Sequence, residues 1–352
     1  MIGGANVATI IVMLLVGFSD RLNPVDHPLL STAGMTLPFF LLVNLAFMVF
    51  WVIFKWRMIW IPITGFILAY VPISIYMPIN PQQTVPEGAI KLISYNVCAY
   101  GGKIKHDGFS SIRDFLSREA PDIVCMQEDV DTWRRFVFKE YEKFLPYNDT
   151  LVIIEKRSCY NALGIHTRFP IIRRERIAYE SKNNGSAAWW LKVGDDTLIV
   201  VNNHFESCHL DSVDRHQYKL ILQGEMSRDS ARAESKLLLT KLAEGNAKRT
   251  PQIQAVLRYV RDHSQYPLIV CGDFNDNPIS YSRHAMSQVL TDCFVKTGKG
   301  LGLSYNQKGF LFRIDHLFCS ERVEPYNCRI DNEIDASDHN PLLCWLKIRP
   351  KH

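Results

Sequence analysis

Hydrophobic residues follow two different rhythms along this chain. Up to residue 77 they run in long blocks almost free of charge; from Ala89 onward they come in short bursts between polar and amphipathic stretches. The first rhythm predicts membrane spans. Residues 5–18 form a short apolar block without the basic n-region and small-residue cleavage site of a signal peptide, and read as a first helix. Residues 36–54 are long enough to cross a hydrocarbon core and carry no charge. Lys55, Trp56 and Arg57 interrupt, and residues 58–77 supply a third span. Trp51, Trp56, Trp60, Tyr70 and Tyr76 fall near the block ends, where amphipathic rings favour the interface. Asn44 reads as one tolerated polar residue that can hydrogen-bond across a helix bundle.

The second rhythm predicts short strands alternating with amphipathic helices. Strands are expected at residues 89–97, 122–127, 151–154, 162–166, 189–193, 197–203, 311–319 and 342–348, with a short apolar run at 268–271. Phe109, Ile112, Phe115 and Leu116 recur at helical spacing behind a cap at Asp107 or Ser110. Phe169-Pro170 marks an edge or turn, and Asn183-Asn184-Gly185 a hairpin-type turn. Residues 210–244 are charged, helix-prone and expected outside the sheet layers. Pro251 is expected to start a helix whose stripe is Ile253, Val256, Leu257 and Val260. The architecture these signals predict is a two-sheet sandwich with helices outside. The expected organisation is a membrane region at 1–77, a Pro-rich linker at 78–88 and a catalytic domain at 89–352.

Composition adds little to this division. The 352 residues carry a formal net charge of +4, too weak to signal a dedicated nucleic-acid binder. By the positive-inside bias the Lys55/Arg57 turn lies in the cytoplasm, which puts the domain after residue 77 outside; Lys91, Lys103 and Lys105 pull the other way. All nine cysteines lie beyond the apolar blocks without CxxC spacing, and an odd count gives no disulfide framework. Cys98, Cys125, Cys271 and Cys319 fall in or beside apolar runs and read as small hydrophobes.

Chemistry enters where apolar runs end in polar residues. Asn96, Glu128, His204, Asp273 and Asn275 all stand at the C-terminal end of such a run; Asp315 lies in RIDHLF, and Asp338 and His339 precede the last strand. Each alone reads as a cap or turn residue; together they suggest a site. Oxygen donors from Asn96, Glu128 and Asp338 suit Mg²⁺, with Mn²⁺ as a substitute. Asp273 can activate a water that Asn275 helps hold, His204 and His339 can hydrogen-bond or protonate the phosphate and leaving group, and Asp315 can orient His339.

The segments ISYNV, DIVCMQE, VNNHFES, VCGDFND, FRIDHLF and ASDHNPL follow the order of motifs in the endonuclease/exonuclease/phosphatase superfamily, which the chain resembles from Ala89 to Ile348. The resemblance implies a four-layer α/β-sandwich of two packed, mostly antiparallel sheets with outer helices. It also implies metal on Asn96, Glu128 and Asp338, water activated by Asp273 with Asn275, and a His204/His339 pair supported by Asp315. In some members a second metal lies near Asp273 and Asn275. HFES resembles the HLES of tyrosyl-DNA phosphodiesterases, and the RID at Arg313 is shared with nucleases and neutral sphingomyelinases. The signature of inositol polyphosphate 5-phosphatases is missing, and that of abasic-site endonucleases is not evident.

The leading expectation is a membrane-tethered Mg²⁺-dependent phosphoesterase acting on nucleic acid or phospholipid, held to a lipid bilayer by its N-terminal helices and needing no obligate protein partner. The competing expectation is a catalytically silent membrane-anchored scaffold, which would be expected to have lost the histidines or the GDFN pair. A transporter is disfavoured because the spans carry no charged residue. His106, His209, His216, His263 and His284 read as surface or helix polar residues. Glu206 and Ser207 read as supports for His204 or as loop caps, Arg134 and Arg135 beside Trp133 as a solvated face, and Trp189-Trp190 as core.

Overall fold

In the computed structural model, described for residues 1–101, 108–129, 134–156, 159–208, 210, 212–307 and 310–350, the helices are α1 (Ile2–Gly17), α2 (Leu37–Phe54), α3 (Trp60–Leu68), α4 (Tyr70–Tyr76), α5 (Gly108–Glu119), α6 (Arg134–Tyr141), α7 (Ser212–Gln223), α8 (Arg228–Asp262), α9 (Tyr281–Ser287) and α10 (Cys293–Thr297). The chain divides into two compact units. The first takes Met1–Pro78 with Cys208–Thr250 and Asn277–His284; the second takes Ile79–Ser207, Pro251–Asp276 and Ala285–His352.

In the first unit, α1 and α2 are long and apolar enough to cross a membrane. The expected third span is broken: α3 and α4 meet at a 61° bend, so they make one span only if the bent pair counts as one. Pro72 causes it, since it has no N–H for the Leu68 carbonyl and its ring crowds that oxygen. Asn44 does more than sit there tolerated. Its amide donates to the Pro62 carbonyl at 3.2 Å and accepts from Asn6 at 3.2 Å, while Trp51 Nε1 donates to Asn6 Oδ1 at 3.0 Å. All three are buried, so the helices share a closed polar knot inside an apolar bundle. Elsewhere in this unit the buried Asp20 carboxylate faces Arg283 at 3.8 Å and His284 at 3.4 Å.

The second unit is built on two six-stranded sheets, matching the sandwich that the sequence predicts. Its strands are β1 (Ile90–Asn96), β2 (Ile123–Gln127), β3 (Tyr147–Lys156), β4 (Cys159–Thr167), β5 (Ile171–Ile177), β6 (Gly185–Val193), β7 (Asp196–His204), β8 (Leu268–Asp273), β9 (Thr291–Asp292), β10 (Tyr305–Gln307), β11 (Phe310–Phe312), β12 (Asp315–Cys319), β13 (Val323–Ile330) and β14 (Leu342–Ile348). One sheet runs β13-β14-β1-β2-β4-β3 and the other β5-β6-β7-β8-β12-β9; β10 and β11 pair apart. Only β1–β2 and β7–β8 pair in parallel among the described strands. Inner faces meet in one core that includes Leu92, Cys125, Leu163, Trp189, Val200, Cys271 and Leu342, while α5 and α6 cover one outer face and the C-terminal part of α8 the other. The cysteines Cys125, Cys271 and Cys319 are buried among apolar neighbours, as small hydrophobes would be. Residues 79–88 are tied down: Gln83 N–H and C=O both bond the Asn327 side chain, and Asn80 donates to the Val295 and Gly298 carbonyls.

Three local expectations need correction. Pro251 lies inside α8, not at a helix start. It removes one backbone bond, to the Ala247 carbonyl, yet the buried stripe Ile253, Val256, Leu257 and Val260 continues to dock and the helix runs through. The strand expected at 311–319 is two, because the Ser304 hydroxyl accepts from both Ile314 and Asp315 N–H at 3.0 Å and takes the chain off the ladder between β11 and β12. Asn183-Asn184-Gly185 is not a tight hairpin turn. Gly185 already belongs to β6, and Asn184 donates to the Phe205 carbonyl at 2.8 Å, so the segment is held by tertiary bonds. Asp107, His106, Lys103 and Lys105 lie outside the described residues.

One buried histidine makes stability pH-dependent. His166 on β4 is fully buried against Tyr141 and Phe138, its Nδ1 bonds Asn148 Oδ1, and its Nε2 has no partner. Burial pulls its imidazole from 6.5 down to about 3. The unfolded chain therefore binds the proton first on acidification. The contribution is fully present above 6.5 and is lost at up to ~1.4 kcal/mol per pH unit as pH falls towards the folded value. Denaturant unfolding of wild type and His166→Gln between pH 4 and 7.5 should show a shallower acid slope for the variant. Parallel slopes would refute this origin.

Candidate active site

Strand register gathers the polar residues. In the second sheet β7 lies parallel to β8 with His204 opposite Asp273, and β12 lies antiparallel to β8 with Asp315 opposite Asp273. His204, Asp273 and Asp315 thus form one row across three neighbouring strands. In the first sheet Asn96 ends β1 opposite Gln127, and Glu128 follows it directly. A buried peg fixes the two sheets against each other: Gln127 Nε2 donates to Asn202 Oδ1 at 2.6 Å, and Asn202 Nδ2 donates to the Met126 and Gly164 carbonyls. Both partners stand within two residues of the site, so the bonds that align the sheets also align the row with Asn96 and Glu128.

The result is a ring of donors around one carboxylate. Asp273 Oδ2 accepts from Asn96 Nδ2 at 3.1 Å and faces His204 Nε2 at 3.6 Å and His339 Nε2 at 3.7 Å. Its other oxygen accepts the Asn275 backbone N–H at 2.8 Å. Glu128 Oε1 lies 3.4 Å from Asn96 Nδ2 and 3.9 Å from His204 Nε2. His339 Nδ1 bonds Asp315 Oδ2 at 2.8 Å, both side chains being buried. Burial pulls the His339 imidazole down, but Asp315, Asp273 and Asp338 outweigh it and leave it raised to about 10. Asp315 itself is pushed up by burial, against the pull of His339. Imidazolium is therefore the form His339 holds at neutral pH.

Backbone strain concentrates at this address. Glu128 and Asn275 sit in the left-handed region at φ 53° and 51°, and Cys98, Ala99 and Tyr100 follow one another there at 45°, 52° and 57°. Non-glycine residues rarely adopt it, and each instance costs of order 1 kcal/mol. The cost is met by specific bonds. Asp129, the residue after Glu128, accepts from Tyr100 Oη at 2.7 Å and from Thr150, and Ala99 N–H bonds the Glu128 carbonyl. Asn275 Nδ2 donates to the Phe205 carbonyl at 3.0 Å, which fixes its amide and leaves Oδ1 for a water or ligand. Ser337 Oγ donates to the Asn96 carbonyl at 2.7 Å, bringing the Asp338 loop beside the end of β1.

All eight residues singled out in the sequence lie around this crater. Glu128 and Asp338 present hard carboxylate oxygens, and among the described residues neither forms an ion pair with Lys or Arg, while Asn96 Oδ1 accepts the Cys98 N–H at 3.1 Å and its Nδ2 faces Glu128 and Asp273. That donor chemistry fits a divalent cation. Sequence reasoning missed Asn161, which touches His204, and Tyr305, whose ring lies 5.1 Å from the His339 ring. A polar residue within the apolar run NALGI was the available signal for Asn161. The Glu206 carboxylate accepts from Ser181 Oγ at 2.9 Å and its backbone N–H donates to Gln252 Oε1 at 2.9 Å, so Glu206 braces the loop after His204. Among the other histidines, His263 stacks on Tyr259, His284 faces Asp20 and His216 is exposed; His209, Trp133 and the side chains of Arg134 and Arg135 lie outside the described residues.

The family model described as Endonuclease/Exonuclease/phosphatase family matches residues 93–339, and one described as a domain of unknown function matches residues 1–76. Among curated proteins, none matches the chain in sequence. Solved structures share the fold. D. rerio TDP2 complexed with single strand DNA product is 15% identical with a TM-score of 0.53, over 74% of this chain and 100% of that one. An endonuclease/exonuclease/phosphatase from Bacteroides vulgatus is 16% identical with a TM-score of 0.52, over 75% and 100%. The human Nocturnin catalytic domain with bound sulfate anion is 15% identical with a TM-score of 0.51, over 77% and 96%.

Proposed function

The chain belongs to the Endonuclease/Exonuclease/phosphatase family, hydrolases acting on phosphate-ester bonds, and on that premise we propose that it is a membrane-tethered, Mg²⁺-dependent phosphodiesterase. The observation that carries the reading is the ring of donors on Asp273, with the His339–Asp315 pair on one flank and His204 on the other. Asp273 takes a proton from the attacking water, and Asn275 holds that water in line. His339, charged by Asp315, donates a hydrogen bond to the phosphoryl oxygens or a proton to the departing oxygen. Asn96, Glu128 and Asp338 would hold the cation, for which Mn²⁺ can substitute. When bound, it supplies charge stabilisation to the phosphoryl group and the leaving oxygen.

Two substrate classes compete. The likeness to a TDP2 crystallised with a DNA product favours nucleic acid. The apolar helices α1 and α2 favour a phospholipid, which a membrane-held enzyme meets at high local concentration. Where α3 and α4 make one span, the positive-inside bias of Lys55 and Arg57 favours a catalytic unit outside the cytoplasm, against the pull of Lys91, Lys103 and Lys105. The test is a panel of DNA, RNA, sphingomyelin, phosphoinositides and phosphotyrosyl-DNA with the full chain in nanodiscs. Hydrolysis of one class should vanish with EDTA and return with Mg²⁺ or Mn²⁺. Failure to cleave any of them with either metal would overturn the proposal in favour of a silent scaffold.

A further inference from the structure

The His204 ring nitrogen facing away from the crater has a partner of unusual type. His204 Nδ1 lies 3.1 Å from Asn161 Nδ2. That same amide nitrogen lies 2.7 Å from the Asn183 backbone carbonyl, while Asn161 Oδ1 is buried with no partner. A backbone carbonyl can only accept, so the group against it must be the NH₂; a flipped amide would set oxygen against oxygen. With its orientation fixed in this way, Asn161 presents its second N–H to His204 Nδ1, which must accept it. The ring proton then resides on Nε2, the atom that faces Asp273 and Glu128. Asn161 and His204 are both more than nine-tenths buried, so no solvent competes for either nitrogen.

We propose that Asn161 is a positioning residue that holds His204 in the Nε2–H tautomer, making it a hydrogen-bond donor to the phosphoryl oxygens and never the base that takes the proton of water. This rests on the phosphodiesterase reading given above. The two histidines of the site then differ by the partner behind each ring. A carboxylate stands behind His339 and an amide N–H behind His204. A carboxylate in place of Asn161 would demand a proton on Nδ1, as Asp315 does of His339. Asn183 contributes through its backbone alone, which explains why the loop before β6 is held by side-chain bonds rather than by a tight turn.

The experiment is ¹⁵N NMR of full-length protein labelled in its histidine rings, with the His204 signals identified by their loss in His204→Gln. Wild type should show an unprotonated Nδ1 and a protonated Nε2. In Asn161→Asp Nδ1 should become protonated, and in Asn161→Leu, where no N–H reaches Nδ1, the preference for Nε2–H should weaken, with kcat reduced at least about threefold and KM changed less than about twofold. A wild-type spectrum with the proton on Nδ1 overturns the proposal without recourse to any variant. So does a folded Asn161→Asp protein whose Nδ1 stays unprotonated, or a folded Asn161→Leu protein whose kcat is unchanged. If wild type cleaves no substrate of the panel, the phosphodiesterase reading fails, while the spectrum still decides the tautomer.

Discussion

Asp273→Asn is expected to keep the fold and lose about 10²- to 10⁴-fold in kcat, the range that a positioned general base supplies. The side chain is 1% exposed and an amide fits its volume, so packing is preserved. Its chemistry is reversed. Asp273 Oδ1 receives the Asn275 N–H, while Oδ2 faces Asn96 Nδ2 and the Nε2 atoms of both histidines. An amide can satisfy only one of those sides with its oxygen, and its NH₂ must then meet donors. It also cannot accept a proton from water. Steady-state kinetics at saturating Mg²⁺, beside thermal unfolding as a control of folding, makes the check. A folded variant within about threefold of wild type would remove Asp273 from its assigned role.

Gly272→Ala should cost about 3 kcal/mol or more of stability. Gly272 has φ of 130°, a region open to glycine and strained for any L side chain. A Cβ there would also run into the backbone of Asn203, its neighbour across the parallel β7–β8 pair. Neither partner can yield, because Asn203 lies between the aligning residue Asn202 and His204 of the candidate site. Guanidinium unfolding of the variant, or its failure to fold, is the expected observation. A midpoint equal to that of wild type would show that the strand pair can open without loss, against the tight register described above.

The elements that could be read from sequence are those whose burial is even along their length. β2, β8 and β14 are apolar runs buried at most positions, and they end in polar residues because the sheet ends there. β5 and β13 were not legible. Ile171–Ile177 is an edge strand with Arg173, Arg174 and Arg176 exposed, so it lacks an apolar period. Val323–Ile330 contains Pro325 and is bulged between Tyr326 and Arg329, which masks its alternation. The seven strand-end and loop residues of the site were visible because each follows or precedes such a run. Asn161 was not, because its meaning depends on a ring brought up from β7, 43 positions later. Pro251 misled for the opposite reason: a local rule was overridden by the buried face of α8.

The knot of Asn6, Asn44 and Trp51 also bears on how the N-terminal segment can be altered. The Asn6 and Asn44 amides and the Trp51 indole N–H are each answered by another helix of the same bundle. Removing α1 would strip Asn6 from both of its partners and leave the Trp51 indole N–H and the Asn44 carbonyl facing hydrocarbon. The helix bundle is therefore a single lock with three wards rather than three independent nails, and a shortened chain would have to lose the polar side chains of α2 along with the helix that answers them.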